Sequence, residues 1–499
     1  MAFVRTVKTK SGATAVQIVH SNRGGSREIE HIGSAHTDAE VAALKAAAAD
    51  RLAAGQQQLD LGLVSASGSG PLPITSSRMA VLLDAITSVY DELGFASIPN
   101  SDSVFRDLVV ARIIEPTSKL DSLRVLAEAG VTPASYATVK RRLPIYAGAS
   151  WRGELAKACA AQANLGPTTL CLYDVTTLYF ETDKADGFRE PGFSKERRLE
   201  PQITVGLLTD ATGFPLMMEA FQGNKAETLT MMPTLTAFMT AHKLTDVTVV
   251  ADAGMISAAN MKAIEDAGLS FILGEKIPNV PYQIQKWHRN NPNSTPADGL
   301  TLTQPLPANS KTSYRRHRVV YYRYSADRAR RSIRGINEQI AKAEKAVDGK
   351  IPVKRNRFVK LKGGDRTVNR DLETKARTLA GWKAYATNID SPTPEFVIDS
   401  YHQLWRIEKS FRMSKSDLAA RPIFHHLEDS IRAHLAVVFA ALAITRVIET
   451  RTSWSIRKFV TTARRYRTIT IQAGEQTITA AHPLPDDLRD AIIAIRSGH

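Results

Sequence analysis

Between residues 168 and 275 the chain alternates short apolar runs with helical stretches, in an order that only a few folds can accommodate. TTLCLYD (168–174) is apolar, too short for a helix between its flanks, and suited to a buried strand ending in Asp174. QITVGLL and FPLMMEAF follow, joined by the turn cluster Thr209-Asp210-Ala211-Thr212-Gly213, which makes them a hairpin. A helix is expected from Glu227 to His242, then a second buried strand, DVTVVAD, ending in Asp252. ISAANMKAIEDAG reads as a helix stopped by Gly268, and LSFIL as a further strand. The expectation is therefore an α/β protein whose sheet has three antiparallel strands continued by parallel strands reached through helices.

That order is the ribonuclease-H-like one, and its next element should be a helix bearing a last acidic residue. Instead a segment of different composition intervenes, expected to be an inserted β-rich domain over 276–380. It holds polar loops, a strand-like RHRVVYYRYS, and a helix over 326–347 whose Ile333, Ile336, Ile340, Ala343 and Val347 suit a coiled-coil-like seam. Basic clusters flank that helix, so the segment is either a DNA-facing domain or a solvated charged arm. The core, placed at 166–275, resumes over 381–450 with the strand WKAYATNID and the helix of 396–415. Ahead of it, 1–70 reads as a small α+β segment closed by the linker SASGSGPLP, and 71–165 as a mainly helical DNA-binding region. Within the latter, a helix, a turn at Gly130 and a helix from Pro133 to Lys140, Arg141 and Arg142 outline a helix-turn-helix or an ordinary helical hairpin. A helical, basic tail over 451–499 ends the chain.

Lys and Arg number 65 against 50 acidic residues, a net charge of +15 that favours a polyanionic partner, nucleic acid ahead of membrane. The start, MAFVRTVKTK, lacks the apolar core of a secretory signal, and the apolar run at 436–444 is about half of what a bilayer requires. A soluble, cytoplasmic protein is expected. The two cysteines, Cys159 and Cys171, make no disulfide framework or zinc set and read as small buried hydrophobes.

The chemistry is concentrated in three carboxylates. Asp174 and Asp252 end apolar strands, where loops diverge and ligands bind in open α/β sheets. On FVIDSYHQLWRIEKSFRMSK, at about 100° per residue, Val397, Tyr401, Leu404, Phe411 and Lys415 fall within about an 80° arc expected to face the core. Glu408 lies in the middle of that stripe, where a carboxylate is costly unless paired or bound to metal. Locally, Asp174 could cap the following turn, Asp252 the next helix, and Glu408 could pair with Lys415 or Arg412. Jointly, three carboxylates brought together require cations, and a pair of Mg²⁺ ions about 4 Å apart suits in-line phosphoryl transfer.

The order Asp174, Asp252, Glu408, with an insertion before the glutamate helix, resembles the DDE transposases of bacterial insertion sequences, in particular the insertion-sequence-4-like group. Its motif Y-x2-R-x3-E-x6-K is met by Tyr401, Glu408 and Lys415, while its arginine place holds Leu404. LYDVTTLYFE, VVADAGMIS, GNKAE and WRIE are similar to the family's wording. The resemblance implies two Mg²⁺ ions on Asp174, Asp252 and Glu408, with Mn²⁺ able to substitute. It implies Tyr401 and Lys415 on DNA phosphates; the contact of the missing arginine falls either to Arg406, two residues on, or to another basic residue. It also offers Trp382 as a base-stacking residue, for which a packed core position is the alternative. The implied activity is cleavage at the terminal inverted repeats of the element and joining to target DNA, carried out by a homodimer on double-stranded DNA at the bacterial nucleoid. A DNA-binding regulator without catalysis and a ribonuclease-H-like nuclease are the competing classes.

Overall fold

A computed structural model describes residues 2–9, 12–21, 27–53, 72–99, 102–163, 165, 169–182, 184–192, 200–242, 244, 247–255, 258–292, 294–306, 317–352, 356–362, 365–421, 423 and 425–497. Residues 65–71 of the expected linker, and parts of the basic clusters around 315 and 354, lie outside these residues. The chain divides into two compact units, Met1–Pro73 with Ile471–Ile478, and Ile74–Thr470 with Thr479–His499.

In the first unit, strands β1 (Ala2–Lys8), β2 (Thr14–Ser21) and β3 (Arg27–Ala35) form an antiparallel sheet in that order. The alanine-rich helix α1 (Asp38–Ala53) packs on it. Alternation in TAVQIVH turns Val16 and Ile18 inward against Ala48, and Val4, Ile32, Val41, Leu44 and Leu52 cover them.

The second unit opens with β4 (Ile74–Arg78) and helices α2 (Ala80–Glu92), α3 (Ser103–Ile114), α4 (Asp121–Ala129), α5 (Tyr136–Ala147) and α6 (Ala149–Gln162). Its α/β part runs β5 (Thr169–Tyr179), β6 (Gln202–Thr209), β7 (Pro215–Gln222), α7 (Met231–His242), β8 (Val247–Ala251), α8 (Ala258–Asp266) and β9 (Ser270–Glu275). Next come α9 (Tyr282–Asn290), β10 (Thr301–Leu306), β11 (Arg318–Tyr324), α10 (Ala326–Val347), β12 (Val359–Lys362), β13 (Asp365–Val368) and α11 (Arg370–Thr378). The chain closes on β14 (Trp382–Thr387), α12 (Pro394–His402), α13 (Leu404–Arg412), α14 (Glu428–Thr452), α15 (Ile456–Ala463), β15 (Thr468–Ala473), β16 (Gln476–Ala481) and α16 (Asp486–Arg496), with Ile471–Ile478 of β15 and β16 counted in the first unit and the rest in the second.

Eight strands make one mixed sheet, in the order β10-β11-β14-β9-β8-β5-β6-β7. β5 pairs antiparallel with β6, β6 with β7, and β5, β8 and β9 run parallel. β6 and β8 are buried at every position, as strands covered on both faces must be. The segment expected as an inserted β-rich domain does not stand apart. β10 and β11 extend the same sheet through β14, and Arg318 of β11 reaches Glu265 of α8 in a buried ion pair (2.7 Å). The rest of the segment is α9, α10, α11 and the short hairpin β12-β13. The seam of α10 faces that hairpin and helix α11: Ile336, Ile340 and Ala343 pack with Phe358, Val368 and, on α11, Leu372, while Ile333 is exposed.

Helix α14 corrects a reading by length. Its 25 residues are long and apolar enough to cross a membrane, because the apolar stretch continues well beyond residues 436–444. It is the central core helix, buried continuously from Leu435 to Ile448 against α3, α5, α6 and β7. Cys159 and Cys171 are buried thiols, and burial pushes Cys171 up to about 12, which keeps it unreactive.

Candidate active site

The sheet register builds the site. Leu172 pairs with Val250 in the parallel β5-β8 ladder, so two residues further on Asp174 comes level with Asp252, just past the end of β8. The β8-β9 ladder, ending at Ala251 and Leu273, likewise brings Gly274 level with Asp252, and Gly274 pairs with Tyr385 of β14. Asp174 is half-buried and Asp252 exposed. Asp174 does not end its strand as expected: β5 runs on to Tyr179 against β6, so no turn follows for it to cap, and its Oδ1 accepts from Val175 N (2.8 Å).

Two helices cover this edge. Thr393 caps α12 by accepting from Phe396 N (3.2 Å), with Pro394 in its first turn. From α12, Tyr401 donates its hydroxyl to Asp252 Oδ1 and crosses Tyr385 edge-on (5.0 Å between centroids). Gly274 makes room for it: a Cβ there would lie 2.7 Å from the Tyr401 hydroxyl. Lys383 of β14, a residue outside the recognised motif, donates to the same hydroxyl (3.0 Å) and lies over the Tyr401 ring at 4.1 Å. Burial lowers the Lys383 ammonium below its usual range, against the opposing pull of Asp252 and Glu408. Tyr401 is raised by burial and by its bond to Asp252. Lys383 thus supplies positive charge between two carboxylates that would otherwise repel.

Glu408 corrects the expectation of a buried carboxylate, since it is exposed. Val397, Tyr401, Leu404 and Phe411 are buried as expected, but the face extends to one side through Ser400, Ile407, Ser410 and Ser414. Counting only apolar residues hides three buried serines and misplaces the centre of the stripe, so Glu408 stands at its rim. Among the described residues it forms no ion pair with Lys415 or Arg412. A single π turn, Met413–Asp417, follows α13 and carries the half-buried Lys415.

The β6-β7 turn holds α13 in place. Asp210 Oδ1 accepts from Thr212 N (2.8 Å) and Phe214 N (2.9 Å), and Gly213 takes the left-handed φ of 84° with Arg406 Cβ 3.0 Å from where a Cβ would stand. Three successive turn carbonyls then accept from outside: Ala211 from Arg406 Nη1 (3.0 Å), Thr212 from Arg446 Nη2 (2.5 Å) and Gly213 from Ser410 Oγ (2.7 Å). Arg406, expected on DNA phosphate, is in this structure part of that dock.

Trp382 is 6% exposed, edge-on to Tyr324 at 5.4 Å, so it has no face open to a base and takes the core position. The helix-turn-helix outline is α4, Gly130 and α5, but α5 begins at Tyr136 and runs through Pro144, so the basic residues lie mid-helix. Lys140, over the Tyr136 ring at 5.0 Å, and Arg141 are exposed, whereas Arg142 is tied to Asp102 (2.9 Å).

The donor set suits a hard divalent cation: three carboxylates, two of them exposed, at one sheet edge and its covering helix. Among the described residues no three His, Cys, Asp or Glu side chains already share ligating reach.

Fold and site together define a mixed α/β protein with an acidic edge at the carboxyl ends of its parallel strands. Residues 166–444 match the family described as Transposase DDE domain, more than half of the 499 residues, and the chain belongs to that family. No curated protein matches it. Among solved structures, a piggyBac transposase synaptic complex with hairpin DNA is similar over 77% of this chain and 78% of that one, with a TM-score of 0.38 and 10% identity.

Proposed function

We propose that this chain is a cut-and-paste transposase of a bacterial insertion sequence of the insertion-sequence-4-like group, with a ribonuclease-H-like core. It would cleave double-stranded DNA at the terminal inverted repeats and join the freed ends to target DNA. The observation that carries this reading is the register that sets Asp174 level with Asp252 beneath the helices bearing Tyr401 and Glu408, in a DDE-family chain. Asp174, Asp252 and Glu408 would hold Mg²⁺, or Mn²⁺ in its place. When bound, such ions activate an attacking oxygen and stabilise a leaving one.

The protein's own part is positional. Tyr401 orients the Asp252 carboxylate, Lys383 balances the charge of the acidic edge, and the β6-β7 turn fixes the helix that presents Glu408. Lys415, Lys140 and Arg141 are assigned to backbone phosphates, as the net charge of +15 favours. The working form is a homodimer on DNA, each protomer cutting one end, at the nucleoid.

The test is incubation of the protein and Mg²⁺ or Mn²⁺ with labelled DNA carrying the terminal repeats of the element. End cleavage with strand joining is the expected result. Cleavage alone would make it a nuclease, and binding without cleavage a regulator. Full cleavage by Glu408→Ala would remove the carboxylate assignment.

A further inference from the structure

A second group of charged side chains, absent from every motif in the sequence, lies where α3, the α3-α4 connection and the strap between α13 and α14 meet. Arg112 in the last turn of α3, Lys119 after it and His434 of α14 are 6%, 4% and 4% exposed. Lys119 Nζ stands 2.5 Å from His425 Nε2 on the strap, and the His425 and His434 rings are 5.6 Å apart. His434 donates from Nε2 to Ala420 O (3.3 Å), which leaves its Nδ1 buried with no partner. The Arg112 side chain forms no hydrogen bond or ion pair among the described residues.

The charge is uncompensated. Arg112 bears on Lys119, His425 and His434, His426 bears on His425, and among the described residues no carboxylate is a leading influence on any of the four. Burial lowers Arg112 to about 10 and His425 to about 3, and draws Lys119 well down. Buried cations are normally paired, yet among the described residues Lys119 has only the His425 Nε2 lone pair. The lone pair on His434 Nδ1 gains a proton once an anion is beside it, so guanidinium, ammonium and protonated imidazole together match the oxygens of a phosphate group. The half-buried His425, with the exposed His426 and Leu427 after it, forms the rim through which such a group would enter. We propose that Arg112, Lys119, His425 and His434 form an anion site that takes a phosphate group, separate from the carboxylate edge.

The phosphate is either free or part of a DNA backbone; the latter rests on the proposed function, the former does not. The test follows thermal unfolding of the full chain while inorganic phosphate is titrated at constant ionic strength. A saturable rise in Tm is expected, with apparent affinity weakened about tenfold or more in Arg112→Met/Lys119→Met and in His425→Asn. The rim variant decides if the buried pair fails to fold. Duplex DNA is then bound over a salt series. A logarithmic salt slope reduced by about 0.9 in the variants identifies a backbone phosphate. An unchanged slope in variants whose phosphate affinity is weakened identifies a free anion. The absence of any saturable phosphate effect on the wild type, or equal affinity in wild type and variants, overturns the site. Failure of the terminal-repeat assay alone would leave the phosphate titration readable.

Discussion

Asp252 owes its orientation to Tyr401, which the motif assigns to DNA, and Tyr401 in turn is held by Lys383, which the motif omits. Removing the hydroxyl therefore acts on the carboxylate first. Tyr401→Phe is expected to weaken the apparent Mg²⁺ affinity of cleavage by about 10- to 100-fold, the usual effect of losing a partner behind a ligand. Mg²⁺ titration of end cleavage measures it; an unchanged metal dependence with weaker DNA binding would return Tyr401 to phosphate contact alone. The histidines make a second prediction. Burial, Lys119 and Arg112 hold His425 at about 3, and His434 is lowered for the same reasons. A base lowered in the folded state takes its proton on unfolding once the pH is below the ordinary value near 6.5, so the unfolded chain then binds more protons. Stability is full above that value and falls as pH drops toward 3, by up to about 1.4 kcal/mol per pH unit for each such histidine. Urea midpoints at pH 7, 6 and 5 should decline, and less steeply in His425→Gln. The residue scale is also where the sequence was least legible. Lys383, Arg112 and Lys119 acquire their surroundings from strands and helices far away in the chain, and no local periodicity encodes that.

At the scale of elements, local signals served well wherever an element's own residues decide it. The turn at 209–213, the helix over 326–347 and the strand ending just before Asp252 follow from turn chemistry and periodicity, whereas β5 runs five residues past Asp174 because β6 pairs with it there. What periodicity cannot give is the neighbour. β10 and β11 read as a separate domain because their partner β14 lies beyond a helical excursion, and the α10 seam read as a coiled coil because Phe358 lies outside its helix. Two predictions belong here. Ser410→Ala leaves the Gly213 carbonyl without its buried donor and should cost about 1–3 kcal/mol. Because it loosens the dock of α13, cleavage should fall more than DNA binding, and equal losses in both would deny the turn a positioning role. Arg318→Met breaks the buried ion pair with Glu265 at a cost of about 3–5 kcal/mol, which the double variant Arg318→Met/Glu265→Leu should largely restore. Denaturant unfolding of these two variants tests whether β10 and β11 belong to the core: a loss confined to a separate, earlier transition would make the segment an independent domain.

For the whole molecule, the two units differ in how much they can bury. Among its described residues the first has four apolar side chains exposed by 1% or less, Val16, Ile18, Val19 and Ala48, with a rim of partly covered ones. The second has a continuous core from α2 through the eight-stranded sheet to α16. Burial scales with size, so a unit of about 80 residues with so little fully covered surface is marginal, while the larger one is not. The full chain should therefore unfold in two calorimetric transitions, a small one at lower temperature and a large one from the second unit. A chain beginning at Ile74 should lose the first transition and keep the second at nearly the same temperature, with its carboxylate edge intact, since Asp174, Asp252 and Glu408 all lie in the second unit. If the shortened chain still cleaves DNA but no longer prefers the terminal repeats, sequence reading resides in the first unit and catalysis in the second. A single transition in the full chain, displaced by the truncation, would mean that the two units fold as one.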